Sequence, residues 1–128
     1  MRAGAEISVT KYIQSRRELE HVRRSIAGVF DNVDLLITPT ARIPPFTIAE
    51  FQGDPDTVRP KEIAVLHNTR VLNFAGLPTI SVPCGFTDRG LPIGMQITGP
   101  PGDEATVLRL ARAYEQATDW HKREPDLG

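Results

Sequence analysis

Apolar residues recur at three- and four-residue steps early in the chain, with Leu19, Val22, Ile26, Val29 and Phe30 on one face. That period predicts a helix from Ser8 or Thr10 to Phe30, stopped by the turn-favouring Asp31 and Asn32. The run Asp34-Leu35-Leu36-Ile37-Thr38 has no polar alternation and ends at Pro39, which suits a strand covered on both faces, as in a parallel sheet. From Ala41 to Pro60 no period is sustained, and Pro44-Pro45 and Gly53-Asp54-Pro55-Asp56 predict a long loop. Loops of that length are uncommon in compact domains and are usually functional or mobile.

Lys61 to Ala75 predicts a second helix, closed by Gly76 in the left-handed position. Its apolar residues, among them Ile63, Leu66, Val71 and Phe74, run most of the way around, so the helix is expected to be well buried. Ile80 and Val82 then alternate with Thr79 and Ser81, and Ile93, Met95 and Ile97 alternate with Gly94, Gln96 and Thr98. These are two strands joined at Asp88-Arg89-Gly90. Asp103 caps a last helix reaching about Ala117, with Val107, Leu110, Ala111 and Tyr114 facing inward. The order is α-β-loop-α-β-β-α, an α/β unit whose βαβ crossover is right-handed if its strands lie parallel in one sheet. We expect a single, partial domain over residues 1–128, built as a mixed sheet flanked by helices.

Composition narrows the function classes. A net charge of −1 provides no general attraction to nucleic acid or to an anionic membrane. Arg16, Arg17, Arg23 and Arg24 are interspersed with Glu18 and Glu20, so they read as a solvated helix face. The single cysteine, Cys84, excludes an internal disulfide and suits a reducing compartment. The segment MRAGAEIS has no apolar signal core and no apolar run is long enough to span a bilayer, so a cytoplasmic setting is expected.

Several local patterns imitate chemistry. Ser8 and Lys11 match S-x-x-K, but the companion motifs of that serine chemistry are absent, and a helix cap explains the serine. Cys84 stands where a nucleophile could be displayed, yet His21, His67 and His121 are all distant in sequence. The histidines lack metal-ligand spacing, and the glycines between Gly76 and Gly102 sit at turns, so no metal and no cofactor is expected. There remain short polar groups near element ends: Thr38, Pro39 and Thr40, then Thr69 and Asn73 one helical turn apart, then Gln96 and Thr98. They suit either structural hydrogen bonding or the wall of a pocket for a polar substrate.

Taken in order, Val33 to Thr40 (VDLLITPT), Asn73 to Gly85 (NFAGLPTISVPCG) and Gly90 to Gly99 (GLPIGMQITG) resemble the C-terminal part of amidase signature enzymes. Asp103, Glu104, Leu108, Ala111 and Glu115 resemble the closing helix of that family, so the likeness runs from the first helix to about Glu115. The resemblance implies a large α/β enzyme that acts on a small amide substrate with a Ser–cis-Ser–Lys triad and no metal. The Gly/Ser-rich signature carrying that triad is missing, and none of Ser8, Ser15, Ser25 or Ser81 lies in a glycine-rich serine pair. No catalytic residue carries over. The Pro39–Thr40 turn and the Thr69–Asn73 helix face resemble segments that border the substrate end of the site.

The expectation is therefore a C-terminal amidase segment, silent alone, that self-associates or depends on a further N-terminal portion. The alternatives are a free-standing interaction module on the same scaffold, or the glutamyl-tRNA amidotransferase lineage of the family, whose members act on glutamine. In that lineage the resemblance implies an acidic residue on the second helix, where this chain has Leu66. That favours a general amidase.

Overall fold

A computed structural model describes residue 4 and residues 6–124. Helix α1 spans Val9–Ala27, and the Ser8 hydroxyl accepts a hydrogen bond from the Lys11 amide at 3.2 Å. The S-x-x-K pattern is thus a helix cap. Past Ala27 the chain tightens into a 3-10 turn over Gly28–Asp31, so the predicted helix ends in a narrower coil.

Strand β1 is Leu36–Pro39. The segment expected to be an irregular loop holds a one-turn helix, α2, at Ile48–Phe51. Thr47 and Glu50 close it with a reciprocal capping box. Helix α3 spans Pro55–Ala75, starting six residues earlier than expected because Asp54 caps it and Pro55 sits in its first turn. Pro60 lies inside the helix and removes one backbone donor there. Gly76 ends α3 at φ 71°, with its amide on the Leu72 and Asn73 carbonyls.

Strands β2 (Thr79–Phe86) and β3 (Pro92–Thr98) form a hairpin, and β1 pairs with the far side of β3. Both pairings are antiparallel, with Ile97 opposite Ile37 on one side and Ile80 on the other. The α/β class stands. The mixed sheet expected for it takes a different form in the described residues, where every neighbouring pair is antiparallel. β1 and β2 run the same way but never touch, because the short hairpin connection lets β3 occupy the place between them.

Helix α4, Glu104–Ala117, packs on the sheet through the predicted face. Val82, Ile97, Val107 and Ala111 form the buried core, with Leu35, Ile80, Met95, Leu110 and Tyr114 packed against them. Asp103 caps α4, accepting from the Thr106 amide at 3.2 Å. A second 3-10 turn, Trp120–Lys122, sets Trp120 beside Phe86, and Arg123 stacks on the Phe86 ring.

Two burial expectations are corrected. β1 is open on one face, with Ile37 58% exposed. α3 is mostly exposed as well; only Ala75 is buried, and Phe74 is 60% exposed. α3 packs mainly against α1, which covers a fraction of an apolar surface that winds around the whole helix. At its C-terminus Arg23 of α1 donates from Nε to the Phe74 carbonyl at 3.1 Å and lies over Gly76. That guanidinium meets a carbonyl left without an intrahelical partner.

Two glycines give opposite stability effects. A Cβ at Gly99 would stand 2.7 Å from Val107 Cγ2 and 3.3 Å from the Asp103 carbonyl, so Gly99→Ala pushes α4 off the sheet. We expect it to destabilise by about 1–3 kcal/mol. Gly28 has helical φ and no atom nearer than 3.7 Å to an added Cβ, so Gly28→Ala gains roughly 0.4–1 kcal/mol. Urea unfolding followed by circular dichroism reads both; equal midpoints for the two variants would contradict the packing assigned to Gly99.

Candidate functional site

The sheet has an apolar face and a polar one. Alternation on β3 sends Met95 and Ile97 toward α4, and Gly94, Gln96 and Thr98 to the other side. The antiparallel register sets Thr38 and Ser81 opposite Gln96, and Thr79 opposite Thr98. Thr79 Oγ1 donates to Thr98 Oγ1 at 3.1 Å, and Thr38 Oγ1 reaches Gln96 Oε1 at 3.4 Å. Gln96 and Thr98 are buried, so these bonds satisfy groups that would otherwise be costly.

Toward one end of this face, groups from all three strands meet across β3. The Thr40 amide donates to the Gly94 carbonyl at 2.9 Å, extending the β1–β3 ladder by one residue. The Thr40 and Ser81 hydroxyl oxygens are then 2.6 Å apart. Glycine is required beneath them, since a Cβ at Gly94 would lie 2.8 Å from each oxygen. Beyond the hydroxyl pair a cavity of about 620 Å³ opens, with Arg42 and Thr87 as its other polar-side-chain residues. Ile43, Val65, Ile93 and four prolines (Pro44, Pro45, Pro83 and Pro92) supply most of the rest of the lining.

The residues expected to form the pocket wall separate into two groups. Thr40 lines the cavity, and the Pro39 carbonyl next to it accepts from Asn68 Nδ2 at 2.7 Å, tying β1 to α3. Thr69 turns back into its own helix, donating from Oγ1 to the Leu66 carbonyl at 3.1 Å. Asn73 is exposed in the last turn of α3, and neither it nor Thr69 lines the cavity. Asn68, Arg42 and Gly94 lay outside the sequence reading of the site. For Asn68 the one available signal was an amide on a largely apolar helix; for Gly94, a glycine interrupting a strand.

Cys84 is the extra residue of a β-bulge between Pro83 and Gly85, half-buried, with Sγ 3.5 Å from the Ile93 carbonyl. His67 hydrogen-bonds Asn68 Oδ1 at 3.4 Å and makes no bond to the thiol. Among the described residues no group of three or more His, Cys, Asp or Glu is placed to hold a metal ion. No helix among them is long and apolar enough to cross a membrane.

The Amidase family model matches residues 1–108. The chain belongs to the amidase family. Across 98% of its length it is 43% identical to a glutamyl-tRNA(Gln) amidotransferase subunit of Thermodesulfovibrio yellowstonii, of which it covers 25%. The corresponding glutamyl-tRNA(Gln) amidotransferase subunit from Thermotoga maritima superposes with a TM-score of 0.60 at 28% identity, over 91% of this chain and 29% of that one. A 6-aminohexanoate cyclic dimer hydrolase superposes at 0.84 with 27% identity, over 96% of this chain and 27% of that chain. The chain thus spans about a quarter of the length of the curated relatives it matches, as a C-terminal-like portion of an amidase-family protein. These sequence relatives stand on the amidotransferase side, the lineage that Leu66 argued against.

The loop that walls the cavity after Thr40 is held by an ionic clamp. Lys61 of α3 pairs with Glu50 of α2 at 3.3 Å and also lies over the Phe46 ring. The Glu50 carboxyl is held below its ordinary value, first by the Thr47 amide, then by the Thr47 hydroxyl and Lys61. A depressed carboxyl supports the fold while ionised, fully above the ordinary glutamate range, and that support disappears as pH falls through the folded value. Acidification below about pH 4 should therefore loosen Thr47–Phe51 while the sheet persists. Amide exchange across that range checks this; α2 amides unchanged, or lost together with those of β3, would contradict it.

Proposed function

We propose that this chain is the sheet scaffold and substrate-side wall of an enzyme acting on carboxamide C–N bonds, and that alone it is catalytically silent. The carrying observation is the chemistry of the cavity lining, where Arg42 is the sole ionisable side chain. A guanidinium stays protonated and cannot serve as a base. Acyl transfer needs a nucleophile with a base beside it, and the Ser81 hydroxyl has only the Thr40 hydroxyl. The nucleophile, its base and the oxyanion donors come from a further part of the enzyme, as a Ser–cis-Ser–Lys triad. Pro39 and Thr40 border the substrate from the sheet, and exposed Asn73 faces the further part from α3, while the Thr69 hydroxyl is engaged by the Leu66 carbonyl.

Exposed apolar surface supports the need for that further part. Val22, Val71 and Phe74 leave a groove between α1 and α3, and Ile37 leaves β1 uncovered. Relatives named as one component of an amidotransferase support partner proteins, and one cysteine suits a reducing, cytoplasmic setting. The same surface would serve a free-standing interaction module, the second reading.

The purified chain should release no ammonia from simple amides above buffer, and Ser81→Ala and Cys84→Ala should change nothing. Mixing it with the N-terminal remainder of one of the amidotransferase relatives should restore turnover. Hydrolysis by the isolated chain that either substitution abolishes would sink the proposal. Sedimentation should show self-association, and a stable monomer with the exposed α3 face would count against the need for a covering part.

A further inference from the structure

The end of β1 beside the cavity is gripped from two sides through one peptide group. Pro39 has no N–H to give, so the next backbone donor is the Thr40 amide, which bonds the Gly94 carbonyl of β3 at 2.9 Å. The carbonyl of that same peptide unit belongs to Pro39, and it accepts from Asn68 Nδ2 of α3 at 2.7 Å. In a trans peptide the N–H and C=O point opposite ways, so β3 holds one edge of the unit and α3 the other. Thr40 carries the hydroxyl whose oxygen stands 2.6 Å from that of Ser81. Among the described residues no other hydrogen bond joins α1 or α3 to a strand.

Two observations set this bond apart from ordinary hydrogen-bond satisfaction. Pro39 is exposed, so its carbonyl has water as a ready alternative partner, and what Asn68 adds is position. Asparagine also costs helix stability in the interior of a 21-residue helix, where alanine or leucine would serve α3 better. Val65, one turn before Asn68, lines the cavity from α3, while Thr40, Ser81 and Gly94 line it from the sheet side. We propose that Asn68 is a positioning residue for this cavity. By fixing the Pro39–Thr40 peptide plane against α3, it sets where the Thr40 hydroxyl stands and how far the Val65 wall lies from the sheet. Its importance for catalysis rests on reading the cavity as the substrate-side wall; the mechanical link does not.

The test compares the isotopically labelled wild-type chain with Asn68→Ala and Asn68→Asp by NMR. In the wild type a scalar coupling across the hydrogen bond, from Asn68 Nδ2 to the Pro39 carbonyl carbon, reads the bond directly. Alanine is the better helix former, so Asn68→Ala keeps α3; the Thr40 amide should exchange about two- to tenfold faster while Ile97 is unchanged. Asn68→Asp sets an ionised carboxylate against the Pro39 carbonyl, acceptor against acceptor, so at neutral pH its Thr40 and Gly94 shifts should resemble those of Asn68→Ala. Below about pH 4 the carboxyl gains a proton to donate, and the wild-type Thr40 shift should return, a reversal that a general loss of stability does not produce. Thr40 exchange and shifts equal to wild type in Asn68→Ala would overturn the proposal, as would Thr40 and Ile97 exchanging faster by the same factor. So would an Asn68→Asp chain whose Thr40 shift fails to recover in acid while Ile97 stays native. If the chain mixed with the N-terminal remainder of an amidotransferase relative gives no turnover, the substrate-side reading falls and the result for Asn68 stands.

Discussion

The structure depends on β3 being central and two-faced. Ile97 is fully buried against α4, while Gln96 and Thr98, one residue to either side, are buried among hydroxyls on the opposite face. A one-residue slip of register would send Ile97 to the hydroxyl side and Gln96 into the aliphatic core, so the pairing has little freedom. That register then places Gly94 beneath Thr40 and Ser81, where only a hydrogen atom fits. The hydroxyl pair at the cavity edge is thus a consequence of core packing one layer away.

Elements with local causes were legible in the sequence. The Asp103 cap, the Ser8 cap and the left-handed Gly76 each act within a few residues, and each stands where the residues put it. The βαβ unit is present with its two strands parallel, but the place of β3 between them was not legible, because strand adjacency is not local. Nothing in Asp34 to Pro39 says whether its neighbour will be β2 or β3, and the short hairpin turn decides in favour of β3. Pro60 misled in a different way: it was read as the end of the loop because proline is disfavoured in a helix interior, yet it lies inside α3, with Pro55 in the first turn. At the site, Thr40 was accessible to reading as a polar residue at a strand end. Asn68 and Arg42 were not, because their importance lies in a carbonyl 29 positions away and in a cavity assembled from separate segments.

Apolar pattern and actual burial disagree most on α3, and this is the physical sign of how the chain relates to its family. A helix apolar on all sides is the pattern of one enclosed by neighbours. Here α1 encloses one side, and chains about four times longer carry the same fold. The burial expectation describes the larger amidase architecture, while the exposure describes this portion of it. Belonging to the amidase family and spanning about a quarter of its relatives' length are therefore compatible statements about the same residues.

Arg23 reaches from α1 to the Phe74 carbonyl over Gly76, and beyond its own 3-10 extension α1 packs mainly against α3. The helical pair is consequently joined to the sheet through few links, with Asn68 to Pro39 the hydrogen bond that crosses. Cooperativity then divides along that line. The hairpin with α4 forms one opening unit governed by its shared core, and α1 with α3 forms another that can detach at lower free energy without exposing Ile97. A covering body would act on the second unit first, converting a loosely held helical pair into a wall of fixed shape and so coupling assembly to the geometry around Pro39.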